Sequence, residues 1–238
     1  KRLKVMRRLL PAWRPLVAKA PAPVRRILGP SGCYLDMLIV DHGIFRVLYC
    51  NTHRIGPLAW RSAQPTPHHL RALRRQGLRT VINLRGERLC GSYFLERAVC
   101  ERKGITLINF RLRSCEAPSR QEIRAAVELF EQIEYPVLIH CKSGADRAGL
   151  LSALYMFLKE GMPLEEAKKA LSLRYGHFRH ARTGILDCFF ERYISDNATN
   201  PMPFLEWIDK VYDPRELQRS FRSRGSADRL IDHVLRRE

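Results

Sequence analysis

The chain predicts an α/β fold, with a mainly parallel central sheet flanked by helices. Three observations lead there. From Arg54 to about residue 200, short apolar runs of strand length alternate with longer stretches whose apolar residues recur at helical spacing. The connections between the strand-length runs are long enough to hold helices, so consecutive strands are expected to run parallel. One run, Pro136 to His140, is apolar almost throughout, as a central strand covered on both faces should be.

Composition narrows the class before any motif is considered. At 238 residues and 45% hydrophobic, the chain can bury a proper core. Its net charge of +18 and pI near 10.2 point to an anionic partner. A membrane surface, a phosphorylated substrate and nucleic acid are the candidates, with nucleic acid the weakest. Seven cysteines form no C-x-x-C pair and no zinc spacing. They read as reduced, mostly packed thiols in a cytoplasmic setting, and no metal or cofactor is expected. No run of about 18 uncharged apolar residues occurs, which argues against a conventional transmembrane helix.

In chain order, residues 1–30 form a basic arm. Nine Lys and Arg fall before Pro30, and the first acidic residue is Asp36. Trp13 and several aliphatics interleave with these charges, while Pro11 and Pro15 interrupt any long helix. The arm reads as a peripheral contact of residues 1–29 with an anionic membrane, which would place the protein at the inner membrane surface. The alternative is a solubilising tail. Residues 31–53 are an accessory segment, expected as a helix breaking at Gly43 and then a strand, or else a hairpin turning at Asp-His-Gly.

The main domain is expected at 54–200. Pro57 to Trp60 reads as a short strand, followed by a helix with Thr66 as N-cap and Pro67 at its first position. Gly77 ends that helix, and Leu78 to Leu84 is the next strand. Ser92 is expected to cap a helix stopped by Gly104, and Ile105 to Leu112 to form another strand. Ser119 and Glu122 make a capping box before Ile123, Ala126, Val127, Phe130 and Ile133. Beyond the central strand, Pro163 opens a helix supported by Glu165 and Lys169 at i,i+4. Helices are also expected at 183–195 and 203–212, and residues 201–238 form a helical, Arg-rich extension.

The chemistry concentrates where the central strand ends. His140 is followed by Cys141, then five mostly small or polar residues, then Arg147, after which the spacing turns helical. A tight loop feeding a helix N-terminus turns its N–H groups and the helix dipole towards an anion. A cysteine there would have its thiolate stabilised by the same donors. An arginine can fork onto two phosphate oxygens.

The string His140-Cys141-x5-Arg147 resembles the signature loop of the Cys-dependent protein tyrosine and dual-specificity phosphatase superfamily. The runs Trp60-Arg61-Ser62-Ala63-Gln64-Pro65 and Thr80-Val81-Ile82-Asn83-Leu84-Arg85 resemble the opening of its small bacterial and plant or fungal members. The resemblance covers about residues 54–195 and implies a phosphatase fold and a phosphocysteine intermediate formed without a metal. It makes Cys141 the nucleophile, with Arg147 and the N–H groups of Lys142, Ser143, Gly144, Ala145, Asp146 and Arg147 binding phosphate. His140 would order the loop. The plainer alternatives are a packed structural thiol at Cys141 and a strand-end histidine at His140.

Two departures from the family pattern matter. Ala148 stands where most relatives carry Ser or Thr, which implies slow breakdown of the phosphoenzyme. The stretch Asn109 to Pro118, where relatives carry an acidic Asp, offers only Glu116. Asp146, inside the loop, resembles the in-loop acid of the myotubularin-type phosphoinositide phosphatases. Asp146 is therefore the first candidate for general acid and Glu116 the second, with a purely structural carboxylate as the alternative for Asp146. Lys142 resembles the loop lysine of inositol-lipid phosphatases. Arg111 and Arg113 could form a basic rim or be solvated surface charge. Tyr175-Gly176-His177 and His180 either line the site or pack at helix ends. The expected function is a phosphotyrosine or dual-specificity protein phosphatase. A phosphoinositide or other lipid or small-molecule phosphatase is the first rival, and a phosphate-binding pseudophosphatase the second.

Overall fold

A computed structural model describes residues 31–40 and 50–222, the side chains of residues 39 and 40 excepted. The basic arm, the strand expected after Gly43 and the tail beyond residue 222 lie outside the described residues. The chain forms two compact units that alternate along the sequence. One runs to Arg111 and resumes over Glu134–Gly144; the other takes Leu112–Ile133 and everything from Ala145 onward.

The first unit is built on a five-stranded sheet: β1 (His53–Gly56), β2 (Ala59–Ser62), β3 (Thr80–Asn83), β4 (Thr106–Asn109) and β5 (Val137–His140). The strand order is β1-β2-β5-β3-β4, with only the β1–β2 pair antiparallel. The mainly parallel sheet is therefore as expected, but the strand read at Pro57–Trp60 begins two residues later. Pro57 lacks the N–H that a ladder needs and lies instead in the turn between β1 and β2. All four residues of β5 are buried. In the register, His140 stands level with Ser62 of β2 and Asn83 of β3. The chain thus leaves β5 at the carboxyl edge of the sheet, where open α/β sheets hold their ligands.

Helix α1 (Pro67–Arg75) starts as expected, with the Thr66 hydroxyl accepting from His69 N–H at 3.4 Å, and it stops before Gly77. Its Leu70 and Leu73 join Leu78, Val81, Val99, Ile105 and Leu138 in the core. Helix α2 (Gly91–Lys103) corrects one expectation, since Ser92 lies buried inside its first turn and does not cap it. The cap comes from far away in sequence. A carboxylate oxygen of buried Asp36, in the helical segment 31–40, accepts from Gly91 N–H. A Cβ at Gly91 would lie 2.2 Å from Cys33 O, so only glycine admits this approach.

The second unit is helical. Helix α3 (Arg120–Gln132) carries the expected capping box: Ser119 Oγ accepts from Glu122 N–H at 3.1 Å, and Glu122 Oε2 from Ser119 N–H at 2.7 Å. Helix α4 (Asp146–Leu158) is buried from Ala148 to Met156 without a polar face. Gly149 lets the chain pass close, since a Cβ there would meet Leu171 Cδ2 at 2.7 Å. Helix α5 (Leu164–Ala167) is a single turn that tightens into a 3₁₀ turn at Lys168–Ala170. That tightening replaces the expected Glu165–Lys169 pair with i,i+3 pairs, Lys168–Glu165 and Lys169–Glu166, each at 2.7 Å. Helices α6 (Ile185–Thr199) and α7 (Phe204–Lys210) close around Phe189, Tyr193, Phe204, Trp207 and Tyr212. Among the described residues no helix is long and apolar enough to cross a membrane.

Candidate active site

The loop after β5 is shaped by its carbonyl oxygens. Lys142 O accepts from Gln64 N–H at 3.3 Å, Ser143 O from Asn51 Nδ2 at 3.1 Å, and Gly144 O from Arg61 Nη2 at 2.6 Å. All three donors come from β2 or the segments flanking β1 and β2. In a trans peptide C=O and N–H point in opposite directions, so tethering the carbonyls outward turns the following N–H groups inward. The N–H of Gly144 points to Cys141 Sγ at 3.3 Å. Cys141 itself is 1% exposed.

Gly144 is required twice over. Its φ of +77° lies in the left-handed region, and a Cβ would sit 2.6 Å from Ala63 N and 2.7 Å from the Ser62 carbonyl carbon. Asn51, which is not a glycine, also has a positive φ, +48°. Its amide donates to the loop while its Oδ1 accepts from His53 Nε2 at 2.9 Å.

Arg61 is fully buried on β2 beneath the loop. The neighbouring run Asn83–Arg85 is wired to the same place. Arg85 Nη1 donates to Gln64 Oε1 at 2.6 Å, and Asn83 Oδ1 accepts from Arg85 N–H at 2.9 Å. His140 also has a buried partner: its Nε2 lies 2.7 Å from Glu96 Oε1 of α2, with both side chains fully enclosed. The Cys100 thiol, one turn further along α2, is pushed up to about 12 by burial and then by the charges of Glu96 and Glu101.

Asp146 and Arg147, the first two residues of α4, are half-buried. Asp146 does not turn back to cap its own helix. Its Oδ1 lies 2.7 Å from His177 Nδ1, and His177 Nε2 lies 2.7 Å from Asp187 Oδ2 of α6. His177 is 1% exposed. Burial opposes its charge, but hydrogen bonds to the two carboxylates outweigh burial and raise its pKa from 6.5 to about 9. At neutral pH it is an imidazolium that donates on both sides.

Most of the remaining candidates are exposed. Arg111 is exposed, with its Cβ 3.1 Å from where a Cβ on Gly86 would lie. Arg113 and Glu116 form an exposed ion pair at 2.5 Å, of a kind worth at most about 1 kcal/mol. His180 is exposed, and Ser143 is more open than its half-buried neighbour Lys142. Among the candidates in the first unit, the fold gathers His140, Cys141, Lys142, Ser143 and Gly144. In the second it gathers Asp146 and His177. Sequence reasoning passed over Asn51, Glu96 and Asp187. Two of these left a trace, since Glu96 and Asp187 are carboxylates set within the apolar stretches of their helices.

A mostly parallel α/β sheet whose central strand runs into a Cys-x5-Arg loop and then a buried helix defines the Cys-dependent, dual-specificity-like phosphatase class. A family model described as DSP-PTPase phosphatase fused to NAD+ kinase matches residues 52–184, more than half of the chain, and the chain belongs to that family. It is 31% identical over 124 residues to the inositol diphosphatase DSP4 of Arabidopsis thaliana, covering 49% of this chain and 52% of that protein. It is 25% identical over 118 residues to the dual specificity protein phosphatase TpbA of Pseudomonas aeruginosa, covering 49% of this chain and 51% of that one. The chain thus spans about half the length of the curated relatives it matches. In fold it is similar to a DUF442 protein of Shewanella putrefaciens, with a TM-score of 0.50 and 14% identity over 64% of this chain and 95% of that one.

Proposed function

We propose that this chain hydrolyses phosphate monoesters through a phosphocysteine on Cys141. The observation that carries the reading is the set of three outward-tethered loop carbonyls, with the Gly144 N–H turned onto Cys141 Sγ. Such a loop offers preset donors to the phosphoryl oxygens, and phosphoryl transfer needs positioning and charge stabilisation above all. In the first step the Cys141 thiolate forms an S–P bond as the P–O bond to the leaving group breaks. Asp146 gives the departing oxygen its proton. In the second, water attacks phosphorus, the S–P bond breaks, and the water proton passes to Asp146. Inorganic phosphate leaves and the thiolate is restored. Arg147 and the loop N–H groups from Lys142 to Arg147 hold the phosphoryl oxygens throughout. The pairing of Glu116 with Arg113 in the second unit weighs against Glu116 as the proton donor.

The substrate class we favour is phosphoprotein, with phosphotyrosine first, as in the dual-specificity relatives. A second reading, a phosphoinositide or inositol phosphate, is supported by Lys142 beside the cysteine and by the name of the Arabidopsis relative. The basic residues 1–29 would then hold the protein against an anionic membrane. Hydrolysis of p-nitrophenyl phosphate that is insensitive to chelator and abolished by Cys141→Ser tests the chemistry. Tight phosphate binding without turnover would instead make the chain a binder. Phosphotyrosine peptides run against phosphoinositide vesicles and soluble inositol phosphates test the substrate class. Co-sedimentation with anionic vesicles, with and without residues 1–29, tests the arm.

A further inference from the structure

We propose that His177 and Asp187 are positioning residues of this reaction: the imidazolium, gripped on its far side by Asp187, holds the Asp146 carboxylate in the one orientation its proton transfers require. The inference rests on the phosphatase reading and on the role of Asp146 in it.

The geometry needs such a device. Asp146 is the first residue of α4, preceded by Ala145, which makes no side-chain cap. An aspartate there would ordinarily fold back onto the helix N–H groups. The bond from His177 Nδ1 holds Oδ1, so in this proposal the proton transfers fall to Oδ2. His177 is placed in turn by the chain around it. Gly176, at φ +79°, reverses the direction after the 3₁₀ turn Leu173–Tyr175, and His177 N–H donates to Ser172 O at 3.1 Å. Asp187, in the first turn of α6, fixes the ring from behind. A ring so held cannot rotate without breaking two charge-assisted hydrogen bonds.

The field at His177 is set by these two carboxylates. Asp146 faces it from α4 and Asp187 from α6. A cleft of about 300 Å³ is lined by His177 and Asp187 together with Lys168, Lys169, Arg179 and Glu191. Each of the three cations is matched by a carboxylate, Lys168 by Glu165, Lys169 by Glu166 and Arg179 by Glu191, at 2.7, 2.7 and 2.8 Å. His177, though 1% exposed, is one of the residues that line this cleft.

Asp187→Asn keeps the shape and an acceptor for Nε2–H but removes one negative charge. The His177 pKa, near 9 in the native chain, should then fall by about 1–2 pH units, as expected when an opposite charge within hydrogen-bond reach is lost. The alkaline limb of kcat for an aryl phosphate should fall with it. His177→Gln should lower kcat about 10- to 100-fold with KM changed less than about threefold, the loss expected when a proton-transfer group is misplaced. Asp187→Glu should recover part of the native limb. Imidazole NMR titration of His177 in native protein and Asp187→Asn reads the clamp without any need for turnover. A native chain without hydrolysis, or one unaffected by Cys141→Ser, overturns the phosphatase reading and this inference with it. An active native chain whose kcat profile is unmoved by Asp187→Asn, in a variant folded by circular dichroism, overturns this inference alone. So does a His177 titration that Asp187→Asn leaves in place.

Discussion

Raising the pH through the range in which His177 loses its proton should weaken the folded protein by roughly 3 kcal/mol. The perturbation is a single proton. His177 holds it with a pKa near 9 in the folded chain, against 6.5 when solvated, because the bonds to Asp146 and Asp187 outweigh the burial that opposes them. The folded pKa lies above the unfolded one, so the folded state binds the proton more tightly. Its stabilisation is fully present below about 6.5 and lost as the pH rises through about 9. At about 1.36 kcal/mol per pH unit, that displacement gives the stated figure. Most of it is still present at neutral pH. Urea unfolding followed by circular dichroism, from about pH 6 to about pH 10, should give a native-minus-His177→Gln difference that shrinks across this window. The subtraction cancels groups that titrate in both proteins. A difference that stays constant over the window would refute the charged clamp between the two aspartates.

Other outcomes test other parts of the site. Gly144→Ala should cost about 1–2 kcal/mol in backbone strain before its Cβ clash is counted, and kcat/KM for an aryl phosphate should fall about 100-fold as the loop is displaced. Arg61→Met keeps the buried volume but removes the donor to Gly144 O. Stability should change by less than about 2 kcal/mol, because burying the charge was itself costly, while kcat/KM falls at least about 10-fold. Asp36→Ala removes the remote cap of α2 and should cost about 1 kcal/mol, read as a Tm lowered by about 2–4 °C. With Ala148 in place of a hydroxyl, rapid-quench kinetics should show a burst of leaving group before a slower steady rate. A linear trace from zero time would count against a slow second step.

What could be read along the chain was local. Thr66 with Pro67, Ser119 with Glu122, and Gly104 all act on the few residues beside them, and each did what its type and spacing imply. The Cys-x5-Arg spacing and the apolar β5 were legible for the same reason. Ser92 misled because a cap signal says nothing about a carboxylate arriving from residue 36. The groups that shape the loop belong to this second kind. Asn51 meets Ser143, Arg61 meets Gly144, Glu96 meets His140 and Asp187 meets His177. Apart from the last, these contacts join residues more than forty positions apart in the chain. They have no periodicity, and only the folded sheet brings them together. The run from Trp60 to Pro65 is the instructive case. As a string it marked a resemblance; in the fold, its Arg61 and Gln64 are two of the hands that hold the loop.

Asn51 shows how narrow such a position becomes. Its backbone favours glycine or asparagine, while its side chain must both donate to Ser143 O and accept from His53. Glycine would satisfy the backbone and lose both bonds, aspartate would accept but could not donate, and glutamine would reach differently from a strained main chain. The site therefore has almost no neutral neighbours in sequence space. Drift there would be tolerated only alongside compensating change at His53 or in the loop itself, so the edge of the sheet and the loop it braces should vary together or hardly at all.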